Sequence, residues 1–116
     1  MNLTSSQIAK IAALSLDNHK ADNVKIIGVD DLTVIADYFV IATGRSGTQV
    51  KAIADEVMEK LKELDIRPTR VEGYRFGSWI LLDYGGVVVH VQNKETREFY
   101  DLERLWGDAK EVVSGQ

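Results

Sequence analysis

The chain contains no cysteine. That excludes disulfide stapling, thiolate zinc sites and a cysteine nucleophile, and it suits a reducing compartment. Histidine is scarce as well, with only His19 and His90, too few imidazoles for a zinc centre without thiolates. No apolar run approaches the ~18 residues needed to span a bilayer. The opening stretch MNLTSSQIAK lacks the basic region and apolar core of a signal peptide, so the expected location is cytoplasmic. Excess positive charge is also missing. Fourteen Lys and Arg against 18 Asp and Glu leave a net charge of −4, which argues against direct capture of a nucleic-acid backbone. It leaves room for a protein partner that itself sits on nucleic acid. What remains is 116 residues, 45% hydrophobic and 28% charged, the composition of an ordinary globular domain able to bury its own core.

Residues 77–92, GSWILLDYGGVVVHVQ, hold the strongest local signal. Two apolar, β-branched-rich runs flank Gly85-Gly86, a two-residue hairpin turn in which both glycines can take positive φ. This register pairs Tyr84 with Val87, Leu82 with Val89, and Ile80 with Val91. One face then carries Ile80, Leu82, Tyr84, Val87, Val89 and Val91, and must be buried against helices. The other carries Trp79, Leu81, Asp83, Val88, His90 and Gln92. An indole, an imidazole and a carboxylate among apolar neighbours read as a partner-binding surface.

The remaining elements follow from spacing. Thr4 and Gln7 have capping-box spacing ahead of a helix from Thr4 to about Lys20, with Ile8, Ile11, Ala12 and Ser15 as its stripe, widened by Leu14 and Leu16. Val24–Val29 and the nearly continuous apolar Tyr38–Thr43 read as strands, the second buried on both faces. Ser46 caps a second helix whose Val50, Ile53, Ala54, Val57, Met58, Leu61 and Leu64 repeat at helical period. The single proline, Pro68, closes that helix. Val71-Glu72-Gly73 is a weak strand or a loop. Asn93 caps a last helix predicted from Lys94 to Trp106, with Phe99, Leu102, Leu105 and Trp106 on its apolar side. The order αββαβββα predicts an α/β fold, a mixed sheet flanked by helices, as one domain over residues 1–106. Residues 107–116 are expected to form a mobile tail.

Candidates for chemistry are weak. The register sets Asp83 diagonal to His90, half of a triad, but nothing resembles a nucleophile elbow, and a polar cross-strand pair is the better reading. Gly44-Arg45-Ser46-Gly47 precedes a helix N-terminus, where an anion can be held. It matches neither the phosphate-loop nor the dinucleotide pattern. It does resemble the glycine-serine turn of nucleotidyltransferases. Those enzymes need paired carboxylates at alternate strand positions to hold two cations, and no predicted strand carries such a pair. No cofactor and no metal are expected.

Four segments together carry a specific resemblance: residues 37–44 (DYFVIATG), 79–85 (WILLDYG), 87–91 (VVVHV) and 97–106 (REFYDLERLW). In this order and at this spacing, from about Thr4 to Trp106, they resemble the ribosomal silencing factor family (RsfS, also called Iojap-like). The resemblance implies a nucleotidyltransferase-like core that has lost catalysis. It implies a non-enzymatic translation repressor that binds large-subunit ribosomal protein fourteen and sterically blocks joining of the small subunit. Carried over by position, Trp79, Leu81 and His90 supply the contact surface from the hairpin. Arg97 and Tyr100 join from the following helix, with Glu98 beside them. Homodimers are frequent in the family, which leaves self-association open. The chain departs from the family at Gly86, where Asp is usual, and at Gln92, where an apolar residue is common. The extra glycine is expected to loosen the turn. A nucleotidyltransferase-like enzyme and a generic dimeric scaffold are the competing readings.

Overall fold

Thr4 starts the first helix by a reciprocal cap. Its hydroxyl accepts from the backbone of Gln7, and the Gln7 side chain accepts from the backbone of Thr4. In the computed structural model, which describes residues 3–107 and 110–112, helix α1 runs Ser5–Asn18. Its buried stripe is built from Ala9, Ala12, Ala13 and Leu16. Ile8 and Ile11 pack only at its edge, and Leu14 faces solvent. Alanines on the buried line let the helix backbone lie close to its neighbours.

Strand β1 (Asp22–Gly28) pairs antiparallel with β2 (Tyr38–Gly44). All but the first residue of β2 is buried, as its unbroken apolar run requires. Ser46 caps α2 (Gly47–Glu63) by accepting from the Gln49 backbone. Val50, Ile53, Ala54, Val57 and Leu61 form its buried side. The segment left open as strand or loop is strand β3 (Arg70–Glu72), at the sheet edge.

The hairpin takes the expected register. Strands β4 (Trp79–Asp83) and β5 (Val87–Asn93) pair Ile80 with Val91, Leu81 with His90 and Leu82 with Val89. The turn differs in one respect, since Gly85 takes positive φ and Gly86 does not. Gly86 is instead held by its surroundings. Its carbonyl accepts from the backbones of Asp37 and Tyr38, and a Cβ there would lie 2.1 Å from the Ser5 hydroxyl.

Beyond β5 the chain departs from expectation twice. The single last helix is two short ones, α3 (Lys94–Phe99) and α4 (Leu102–Leu105). The tail expected to be mobile contributes β6 (Lys110–Val112), antiparallel to β1; the rest of that tail beyond 112 lies outside the described residues. The result is one six-stranded mixed sheet in the order β3-β4-β5-β2-β1-β6, with β2 and β5 its parallel pair. Helices α1 and α2 cover one face over Val40, Ala42, Ile80, Leu82, Val89 and Val91. The other face carries a smaller cluster of Ile27, Phe39, Ile41 and Val88 under Leu102 and Trp106. No helix among the described residues is long and apolar enough to cross a membrane.

Candidate partner-binding site

Side-chain alternation along β4 and β5 sends Trp79, Leu81, His90 and Gln92 to the face opposite α1 and α2. Trp79 donates its indole N–H to Nδ1 of His90 at 3.1 Å. The neutral imidazole therefore keeps its proton on Nε2, which is buried without a partner. Phe39 meets the same ring edge-on at 5.0 Å between centroids. His90 is 5% exposed, and desolvation pushes its pKa down to about 4. Tyr100 closes over the indole from above at 5.1 Å. Trp79 is thus half-buried, with its own chain on one side and solvent on the other. The ring that packs on Trp79 from the chain after β5 is that of Tyr100 and not that of Phe99 or Trp106.

The break between α3 and α4 creates the rest of the surface. Asn93 caps α3 through Thr96, and Asp101 caps α4 through the Arg104 backbone. Tyr100 stands between the two caps. Leu102 turns inward at 7% exposure, while Phe99 and Leu105 stand out at 79% and 75%. With Trp79, Glu98 and Tyr100 they line an open groove of about 590 Å³. Phe99 packs on Tyr100 at 4.8 Å, extending the aromatic surface past the indole.

The expected site residues separate into three groups. Trp79, Glu98 and Tyr100 come together in the groove. Leu81 is half-buried against the smaller core cluster. His90 and Arg97 are buried and do not reach the groove. Arg97 is 7% exposed, with Nη1 donating to the Thr43 hydroxyl and Nε donating to Glu103, both at 2.9 Å. It fastens α3 to the end of β2 and to α4 because the helix break folds it inward. Gln92 is fully buried, with neither amide atom bonded to protein. Asp83 makes no bond to His90; it accepts from the Gly85 backbone at 2.9 Å and faces Arg70. Phe99 and Leu105, read as core-facing, are the groove residues the helical pattern missed. The cap at Asp101, three residues before Arg104, was the signal that could have found them.

The same chain matches the family described as ribosomal silencing factor during starvation, RsfS, over residues 2–116. The chain belongs to this family. A curated RsfS protein of Bacillus subtilis is 40% identical over 107 residues, 92% of this chain and 91% of its own length. The RsfS likeness extends to three dimensions. A crystal structure of a Chromobacterium violaceum protein superposes with a TM-score of 0.88 at 36% identity, covering 98% of each chain. A more distant relative is the mouse protein named mitochondrial assembly of ribosomal large subunit protein 1. It is 33% identical over 94 residues, 78% of this chain and 41% of its own length. Among the described residues, no group of three or more His, Cys, Asp or Glu is placed to hold a metal.

Proposed function

We propose that this protein represses translation by binding the large ribosomal subunit through large-subunit ribosomal protein fourteen, and so blocks its joining to the small subunit. The observation that carries this reading is the groove of Trp79, Phe99, Tyr100 and Leu105. Aromatic and apolar side chains this exposed are disfavoured on a free surface, and they are the residue types that anchor interfaces. Family membership supports a ribosomal role, and the mouse relative's name ties the fold to a large subunit. The net charge of −4 favours contact through a basic ribosomal protein over contact with RNA phosphates. The mechanism is steric and needs no turnover, and its setting is the cytoplasm.

The test is co-sedimentation with purified large subunits and, separately, with isolated protein fourteen. The native chain migrates with both, and a Phe99→Ala/Leu105→Ala variant loses ~2 kcal/mol or more of binding. Equal co-sedimentation of native and variant chains would remove the groove from the interface. Nucleotide transfer with magnesium and an acceptor, abolished by Asp83→Ala, would instead support the enzyme reading.

A further inference from the structure

The parallel pair β2 and β5 ends in a second hollow, one that the groove does not use. After β2 the chain passes into α2 on one face of the sheet, and after β5 it passes into α3 on the other. Strands that send their connections to opposite faces leave a crevice at their carboxyl ends, the place where open α/β sheets take ligands. Here the crevice is a cleft of about 400 Å³. Thr43 and Gly44 line it from β2, Arg45 from the turn that follows, and Lys94 and Arg97 from α3.

Its lining holds more cations than carboxylates. In a chain of net charge −4, three cations converge there: Arg45, Lys94 and Arg97. Two carboxylates, Asp22 and Glu98, also line the cleft. Asp22 meets Arg45 at 3.4 Å with both side chains largely exposed, a weak pair that water can open. Lys94 has no ion pair among the described residues. Arg97 is the telling residue. It is 93% buried, fixed by Thr43 and Glu103, and its Nη2 is enclosed without any hydrogen-bond partner. A buried guanidinium whose Nη2 donors are unspent carries a cost that an acceptor in the cleft would remove. Gly44 explains itself by packing, since a Cβ there would lie 2.7 Å from Val50. The cations carry the inference.

We propose that this cleft binds the phosphate group of a small phosphorylated molecule. The unspent Nη2 donors of Arg97 suit a phosphate oxygen, and Lys94 and Arg45 add charge at the mouth. The cations sit in a recess and not along a stripe, which fits a compact anion better than a polynucleotide. Among the described residues no aromatic side chain lines the cleft, so the phosphate, and not a stacked base, provides the recognition. Among the described residues only Glu98 is shared between cleft and groove, which makes the proposal independent of ribosome binding.

The experiment is a two-dimensional amide NMR titration with inorganic pyrophosphate, with ribose 5-phosphate, and with a short single-stranded RNA. Potassium chloride at matched ionic strength is the control. Saturable shifts at Thr43, Gly44, Arg45 and Lys94 are expected with pyrophosphate and ribose 5-phosphate. An Arg45→Glu/Lys94→Glu variant, altered only at exposed positions, should weaken both at least tenfold at unchanged melting temperature. The Phe99→Ala/Leu105→Ala variant should bind them as the native chain does. Shifts that are absent, or that survive the charge reversal, overturn the proposal. Tenfold tighter binding of the RNA, with steep salt dependence, overturns it in favour of a nucleic-acid site.

Discussion

His90 shows how much one buried side chain can govern. Its ring accepts from Trp79, meets Phe39 and has no partner at Nε2, so protonation would put an unpaired charge into an apolar layer. The folded-state pKa is about 4 against 6.5 for the free side chain. Between those values the unfolded chain binds a proton that the folded chain refuses, so stability falls as pH drops from 6.5 to 4. Above 6.5 the contribution is complete and constant. The loss amounts to about 3 kcal/mol at most. Denaturant midpoints measured across that window should slope in the native chain and flatten in His90→Gln, after subtraction of the shared carboxylate background. Equal slopes would show that His90 titrates normally. Trp79 has two roles at this scale. Removing it strips His90 of its donor and Tyr100 of its platform, so Trp79→Ala should lower the melting temperature and weaken partner binding together. Phe99→Ala/Leu105→Ala should separate the two effects. Both side chains are mostly exposed, so the melting temperature should stay within a few degrees while binding fails.

Among the elements, β4 is positioned by the turn before it. Gly73 has φ +77°, and a Cβ there would lie 1.9 Å from the Trp79 carbonyl oxygen, a backbone atom that cannot rotate away. Gly73→Ala should therefore destabilise the fold by roughly 1–3 kcal/mol through backbone strain alone, with the clash added. An unchanged melting temperature would contradict the packing of this turn on β4. The α3–α4 unit depends on Arg97, which joins Thr43 and Glu103 across three elements. Arg97→Ala leaves Glu103 unpaired, and because that carboxylate is a third exposed, the expected loss is about 2 kcal/mol, below that of a fully buried pair. Amide exchange should rise in α3 and α4 before it rises in the sheet. These elements were unequally legible in the sequence. The hairpin register followed from Gly85-Gly86 and two apolar runs, and α2 followed from its period, because local spacing decides both. The α3–α4 break did not follow. Phe99, Leu102 and Leu105 fit one helical stripe, and that pattern outweighed the cap at Asp101. The burial of His90, Gln92 and Arg97 was out of reach for another reason. Polar residues on an alternating strand, or beside Glu98 on a helix, read as a surface open to a partner, and only the tertiary path of α3 and α4 puts a cover over them. Strand β6 is three residues long and exists by pairing with β1, which no local spacing announces.

At the scale of the whole molecule, the sheet has one face closed by α1 and α2, while the other is only partly closed by two short helices. The incompletely closed face is where the large exposed side chains gather, Phe99, Tyr100 and Leu105 beside Trp79. A surface of that kind is most stable when covered, and the account assigns the cover to the large ribosomal subunit. The most direct measurement is light scattering from purified small and large subunits mixed with the protein, alongside ribosomes joined beforehand. The account predicts that the native chain lowers the extent of joining, that Phe99→Ala/Leu105→Ala does not, and that preformed ribosomes are spared because the site is already occupied. Equal inhibition by the native and doubly substituted chains, or equal splitting of preformed ribosomes, would contradict it.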